Sequence, residues 1–529
     1  MKILMVAPKS SYSIPVGLSY IVAILKQAGH QVDAINMNLL HDLKIPENKY
    51  DFVATGGLAI HFEQIKEIAT EANRSGTKLI VGGGIVTSEP ELISRAVNTD
   101  YSVLGEGEVT ILELLDCLEQ NGDQESVAGI GFFRNGIFVT TAKRKPILKL
   151  DALPFPDYAS FGFETYLDNL KPSDVYNYDI FDYPRVYPLI SSRSCPFRCT
   201  FCYNPLGNRY RQRSIDNIME ELRTVVPKYR INIVDIIDEL FSYDKKRTYE
   251  FCEKFEDFAA TIPWEIRWDC QLRVDKLEEE MIDKLKDSGC FMISYGFESY
   301  SATVLKSMKK HITPAQIDRA VRMTLDKGVS LQGNFILGDI AETEETARET
   351  LNYWKEHVDA GILLSWVMPY PNSRLYQYCL EKIIIKDKLK YISSQFSEVF
   401  NMTTMSDEKF TNLRLEVYKS PLIYNYNTIP TVVADNYILV KCPHCGVTIE
   451  YNNYSVFDQN VYVNFLAPLK LLFYKTVYCR NCRRRFWIMN RLFKAYANIV
   501  KLLLRPSLFK LYNKLLKNKV TILKLFSKL

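Results

Sequence analysis

The segment Ser194-Cys-Pro-Phe-Arg-Cys-Thr-Phe-Cys-Tyr-Asn-Pro205 holds Cys195, Cys199 and Cys202 within eight positions, out of twelve cysteines in the chain. Thiolates spaced C-x3-C-x2-C can bind three corners of a [4Fe–4S] cluster from a single loop. Structural zinc takes four protein ligands, and no fourth cysteine lies nearby. A cluster held this way keeps one iron open for another ligand. The alternative is a buried strand of reduced cysteines, against which Pro196, Arg198 and Thr200 argue.

A second set of thiols lies near the other end. Cys442-Pro-His-Cys445-Gly and Cys479-Arg-Asn-Cys482 are two C-x2-C knuckles. Two such pairs make a tetrahedral zinc site of zinc-ribbon type, with metal-free reduced thiols as the alternative. The 33 residues between the pairs exceed the usual gap, so an inserted hairpin is expected. Arg480 and Arg483–Arg485 would offset the charge of four thiolates, and His444 reads as a surface residue.

The elements that must position these thiols follow from periodicity. Residues 1–145 alternate apolar strand runs (KILMVAP, QVDAINMN, YDFVATGG, KLIVGGG, YSVLGEGE) with amphipathic helical stretches, then close on a hairpin at Asn135-Gly136. Strands that end in glycine predict a doubly wound, flavodoxin- or Rossmann-like parallel sheet with a ligand at the strand C-termini. Residues 146–184 read as a linker. Residues 185–380 give six strand runs, VYPLISS, NIVDIID, EIRWDCQ, FMISYGF, SLQGNFIL and ILLSWVM, separated by helices. That pattern predicts a partial (β/α)6 barrel with its chemistry at the strand C-termini. The three-cysteine loop follows the first of these strands. Residues 381–440 form an extension of weak signal, 441–488 the zinc-ribbon-like module and 489–529 a basic helical tail.

Charge divides the chain. Net charge is +4, yet residues 459–529 carry sixteen Lys and Arg and no Asp or Glu. In the tail, Lys510, Lys514, Lys517, Lys524 and Lys528 fall on one helical stripe beside a broad apolar face. This favours an anionic membrane surface or a protein groove over an ordinary packed helix or nucleic acid. At 47% hydrophobic and 24% charged, the composition is that of a soluble multidomain protein. MKILMVAPKS reads as a first strand, no apolar run reaches bilayer length, and clustered cysteines favour a reducing cytoplasm.

The loop carrying Cys195, Cys199, Phe201 and Cys202 after the first barrel strand resembles that of the radical S-adenosylmethionine (SAM) superfamily. The resemblance implies SAM on the open iron, cleavage to a 5′-deoxyadenosyl radical, and an electron donor such as flavodoxin or ferredoxin. It also implies SAM contacts from Tyr203, Glu239, Arg273, Gly296, Glu298 and Ser299, with Asp238 a further carboxylate in the same region. PVGLSYIVAILKQAGHQV, GGGIVTSEPE, GEGE and LDALPFPDY together resemble the cobalamin-binding-domain radical SAM enzymes over roughly residues 1–380. This implies cobalamin lying along Pro15, Gly17, Gly56, Gly57, Gly83, Gly84, Thr87, Gly105, Glu106, Gly107 and Glu108. None of His30, His41, His61, His311, His357 and His444 sits in an Asp-x-His-x-x-Gly element, so cobalt without histidine ligation is implied. A tRNA methylthiotransferase would need three N-terminal cysteines, and only Cys117 precedes residue 195. The expected reaction is methyl transfer to an unactivated carbon of a small-molecule or lipid substrate. Oxidative cyclisation or rearrangement is the alternative within the class, and a non-catalytic zinc-ribbon scaffold or sensor the alternative outside it.

Overall fold

The computed structural model of the chain describes residues 1–10, 14–40, 42–241, 243–456 and 473–503. Residues 457–472, sixteen of the 33 between the two C-x2-C pairs, and the lysine stripe from Lys510 to Lys528 lie outside these residues.

The first unit is a seven-stranded sheet in the order β2-β1-β3-β4-β5-β6-β7. Its strands are β1 (Lys2–Ala7), β2 (Gln31–Asn36), β3 (Phe52–Gly56), β4 (Lys78–Gly82), β5 (Tyr101–Val103), β6 (Ile130–Arg134) and β7 (Ile137–Thr140). The first five run parallel, and the β6–β7 hairpin adds antiparallel to β5. Helices cover both faces, so β1 and β3 bury nearly every residue and read as apolar runs rather than as alternation. Glycine-rich turns cluster at one edge because parallel strands end together.

The second unit is an open, all-parallel sheet of six strands: β8 (Val186–Leu189), β11 (Ile233–Ile236), β12 (Arg267–Leu272), β13 (Cys290–Glu298), β14 (Ser330–Leu337) and β15 (Ile362–Trp366). Two short strands, β9 (Ser192–Arg193) and β10 (Arg211–Gln212), pair antiparallel at the base of the cysteine loop. Helices Ile215–Tyr229, Lys245–Ala260, Glu279–Asp287, Pro314–Asp326 and Glu344–Glu356 return the chain between strands. One apolar cluster runs without a break from Ile3 and Val103 through Tyr158 to Tyr187 and the barrel wall, fixing the two units against each other.

The segment 146–184 does more than connect. Tyr158 donates to the Pro188 carbonyl at 2.8 Å, and Asp157 pairs with Lys26 at 2.8 Å. Its later part crosses the N-terminal end of the barrel and meets the C-terminal thiol module there. That module pairs β16 (Asn427–Thr428), β21 (Arg485–Met489) and β20 (Tyr474–Tyr478) in one sheet, and β17 (Val432–Ala434), β18 (Tyr437–Lys441) and β19 (Thr448–Asn452) in another. Strand pairing with the thiol module therefore begins at Asn427, ahead of the 441 suggested by the cysteines. The helix Arg491–Leu503 follows β21.

Candidate functional site

The cysteine loop leaves the barrel at the C-terminal end of β8. Ser194 takes a left-handed conformation (φ 64°), and the loop is pinned from several sides. Asn208 donates to the carbonyls of Cys195 and Phe197, Thr200 N–H donates to Met308 O, and Leu375 N–H donates to Thr200 O. Cys195 and Cys199 are half-buried, Cys202 is exposed, and all three are free thiols. Backbone clamps of this kind fix a loop that has no regular structure.

Four charged side chains stand around these thiols. Glu239 extends from the end of β11, and its carboxyl is held above the usual range by burial and by the neighbouring Asp238. Glu298 sits at a bulge in β13 with φ 63° and pairs with Lys310 at 2.7 Å. Arg273 lies with its guanidinium 3.5 Å from the centroid of the Phe197 ring and donates to the Lys310 carbonyl. Lys310 faces Cys199, Glu298 and Arg273, and sequence reasoning missed it. Nothing in Lys-Lys-His separates it from the surface lysine beside it. Two carboxylates and two cations beside one loop suit a ligand bearing both an ammonium and a carboxylate. A Cβ at Gly296 would crowd the Glu298 carboxyl and stand 2.7 Å from Lys310 Nζ.

Other expected side chains are occupied. Asp238 braces the end of β8, accepting from Ser191 N at 2.8 Å and from the Ser191 and Ser192 hydroxyls. Burial pushes its pKa up to about 6. The Ser299 hydroxyl bonds the Thr350 hydroxyl at 3.1 Å.

On the N-terminal sheet the glycines divide into two kinds. Gly56 and Gly83 are required by neighbouring backbone, and Gly57 by the His61 ring. A Cβ on Gly56 would stand 2.7 Å from Gly82 O, one on Gly57 2.6 Å from His61 Nδ1, and one on Gly83 2.9 Å from Gly57 N. Gly17 and Gly105 instead face open space, so a ligand can approach the backbone there. Pro15 precedes the helix Val16–Gln27, and its carbonyl accepts from Ser19 N–H. Gly107 opens the helix Gly107–Glu119 against Ile21. The Thr87 hydroxyl donates to Gly83 O and accepts from Gly105 N–H, tying the two glycine turns together. A Cβ on Gly84 would collide with the Tyr203 hydroxyl, which also accepts from Ser88 Oγ at 3.3 Å. Tyr203, beside the last cysteine of the cluster loop, thus reaches into the glycine edge of the other unit.

Glu106 and Glu108 do not point into that open space. Glu106 binds Arg211 with both oxygens at 2.7 Å and Arg193 at 3.1 Å, and it accepts from Ile147 N–H. Glu108 binds Arg193 at 2.6 Å. Burial works to raise the Glu106 pKa, but the Arg211 bond, the Ile147 amide and the Arg193 charge together hold it below the usual range. Both arginines lie on β9 and β10, the arm that carries the cysteine loop, so the GEGE turn bolts that loop to the N-terminal sheet. His61 Nδ1 accepts from Leu58 N–H at 3.2 Å, which leaves its proton on Nε2 and no ring lone pair for a metal.

The four C-terminal thiols come from two matched knuckles. Cys442 and Cys445 lie between β18 and β19, and Cys479 and Cys482 between β20 and β21. In each, the residue after the second cysteine is left-handed: Gly446 at 74° and Arg483 at 60°. Each then closes a turn back to its first cysteine. Sulfur separations are 3.8 Å for Cys442–Cys482 and 3.7 Å for Cys445–Cys479. Four thiolates about 2.3 Å from one tetrahedral ion stand about 3.8 Å apart, so the geometry fits a metal. The His444 ring bonds the Arg485 carbonyl instead. Of the arginines expected to balance the thiolates, Arg483 stands near enough to Cys479 to feel its charge, whereas Arg480 pairs with Asp182, Arg484 with Asp359, and Arg485 with Thr476 and the Ile362 carbonyl.

A doubly wound sheet whose ligand edge faces a cysteine loop on a parallel barrel defines a two-cofactor enzyme fold. The B12 binding domain family matches residues 3–115 and the Radical SAM superfamily matches residues 189–353. Residues 3–115 thus form a B12 binding domain and residues 189–353 a radical SAM domain in one chain. It is 28% identical over 444 residues to the uncharacterized methyltransferase PH0819 of Pyrococcus horikoshii, covering 79% of this chain and 92% of that one. It is 26% identical over 396 residues to the anaerobic magnesium-protoporphyrin IX monomethyl ester cyclase of Cereibacter sphaeroides, covering 71% of this chain and 62% of that one. The fold matches the radical SAM methyltransferase TsrM of Kitasatospora setae, solved with tryptophan and a SAM analogue. That match has TM-score 0.59 and 17% identity over 72% of this chain and 76% of that one.

Proposed function

We propose that this enzyme transfers a methyl group to an unactivated carbon, with Cys195, Cys199 and Cys202 holding a [4Fe–4S] cluster. When bound, the cluster and SAM supply the radical that takes hydrogen from carbon, and cobalamin supplies the methyl group. Glu239 and Glu298 would take the ammonium of SAM, Arg273 and Lys310 its carboxylate, and Gly296 leaves room beside them. Gly17, Gly105 and the Thr87-tied turn would cradle cobalamin, with Tyr203 at the border of the two cofactors. The observation that carries this reading is the contact of Tyr203 with Gly84, which puts the cysteine loop against the glycine edge. PH0819 and TsrM support methylation, whereas the cyclase relative supports oxidative cyclisation as a second reading. We further take Cys442, Cys445, Cys479 and Cys482 as a zinc site within a ribbon-like module. The basic stripe from Lys510 to Lys528 supports peripheral contact with an anionic membrane, and deletion of residues 491–529 without change in liposome binding would remove it. Among the described residues no helix is long and apolar enough to cross a membrane.

Anaerobic reconstitution with iron, sulfide and cobalamin, a flavodoxin or chemical reductant, and mass spectrometry of SAM products tests the reaction. S-adenosylhomocysteine together with 5′-deoxyadenosine is expected. 5′-Deoxyadenosine alone would favour cyclisation, and neither product would end the proposal.

A further inference from the structure

Exposed cations gather around the cysteine loop. Arg198 stands between Cys195 and Cys199. Arg209 follows Asn208, which holds the Cys195 and Phe197 carbonyls. Lys306 and Lys309 lie on either side of Met308, whose carbonyl takes the Thr200 amide. Arg374 precedes Leu375, whose amide donates to the Thr200 carbonyl. All five side chains are exposed. The ion pairs beside the loop, Lys310–Glu298 and Arg273–Asp275, engage other residues. Among the described residues none of the five enters an ion pair or a side-chain hydrogen bond.

This collar runs against the charge of its surroundings, since residues 1–458 hold twelve more Asp and Glu than Lys and Arg. Its cations come from four separate stretches of chain that the fold brings to residues 195–200. Unpaired like charges set side by side repel one another, and an anionic partner removes that cost. Within the collar Cys202 is exposed and Cys195 and Cys199 are half-buried, so a cluster on these sulfurs would lie close beneath it. Long, unpaired side chains spread over a rim suit a broad anionic face met transiently, not a small anion that needs a pocket.

We propose that Arg198, Arg209, Lys306, Lys309 and Arg374 form the docking collar for an acidic one-electron carrier protein. The carrier loses one electron, the [4Fe–4S] cluster gains it, and no bond or proton changes hands. Such encounters are weak and small, under about 1,200 Å², so charge complementarity governs their rate more than packing does. A nucleic acid or a lipid surface would answer the same charge but brings no electron. This rests on the reading of Cys195, Cys199 and Cys202 as cluster ligands.

Full-length protein reconstituted anaerobically is titrated calorimetrically with oxidised flavodoxin. Formation of 5′-deoxyadenosine is then timed with reduced flavodoxin and, separately, with dithionite. Binding is expected at low ionic strength and should weaken steeply as salt is added. Lys309→Glu/Arg374→Glu should weaken flavodoxin binding about tenfold and slow the flavodoxin-driven reaction, with the dithionite rate unchanged. Lys66→Glu/Lys228→Glu makes the same charge change at exposed positions on the helices Phe62–Arg74 and Ile215–Tyr229, and should alter neither. If the collar variant loses iron, Arg209→Glu carries the binding test. No salt-dependent binding by the unmodified protein, equal loss in both double variants, or flavodoxin affinity unaltered by the collar variant overturns the inference. The last is the result if the collar serves nucleic acid, lipid or an anionic substrate. Absence of SAM cleavage with dithionite would sink the reaction reading separately, since the titration needs no turnover.

Discussion

Replacing Glu106 by glutamine removes one charge from a site where it faces two. The Glu106 side chain is 4% exposed, Arg211 is 4% and Arg193 is 12%, so water cannot answer the guanidinium left behind. Breaking a buried pair by removing one partner costs about 3–5 kcal/mol. Glutamine keeps one acceptor oxygen, but its NH2 would point at Arg211 or at the Ile147 amide, which are themselves donors. Arg193 retains Glu108, so the loss should sit toward the lower end, about 3 kcal/mol. The double variant Glu106→Gln/Arg211→Met removes both charges of the tighter pair and should recover at least half of that loss. The assay is urea unfolding under anaerobic conditions, followed by tryptophan fluorescence. The unmodified protein carries a pH signature as well. The folded Glu106 pKa lies below its usual 4.5, so this contribution is complete above that value and fades as pH falls through the lower folded one. A single variant within about 0.5 kcal/mol of the parent, or a double variant no better than the single, would refute the buried-bolt argument.

Other outcomes follow from the same geometry. Gly84→Ala should displace the Tyr203 ring and lower the melting midpoint by several degrees; Gly84→Ala/Tyr203→Phe, which removes the colliding hydroxyl, should restore part of it in a thermal scan. Cys442→Ser should lose about one equivalent of zinc by elemental analysis and about 3 kcal/mol of stability, while the iron content of the protein stays unchanged. Burial pushes the Glu342 carboxyl up to about 8, so its ionisation increasingly opposes folding as pH rises from the ordinary carboxylate range toward 8. Glu342→Gln should therefore gain stability relative to the parent at pH 8 and not at pH 5, measured by melting at both.

What the sequence made legible was whatever depends on local order. The six barrel runs were readable because each is a strand-length stretch rich in β-branched and aromatic residues set between helical stretches, and the cysteines because ligand spacing is local. What stayed hidden depends on register between distant segments. Glu106 and Arg211 are 105 positions apart, and each alone is an ordinary surface type. Lys310 is one of two adjacent lysines, and only the fold turns it toward Cys199. Gly56 and Gly83 were read as making room for a cofactor, yet their immediate reason is that two turns of the backbone touch. Asp235 and Asp269 become a pair only once β11 and β12 are aligned.

The meeting of segment 146–184 with the second thiol knuckle has a consequence for synthesis. Tyr478 donates its amide to Asp179 and its hydroxyl to the Leu331 carbonyl, and Arg480 donates to the Asp179 carbonyl. A ribosome that has released the whole barrel has therefore still not delivered the donors for Asp179 and the Leu331 carbonyl. Premature termination near residue 440 would leave that buried carboxyl and that strand-start carbonyl without these partners, a cost borne by the barrel and its leading segment together.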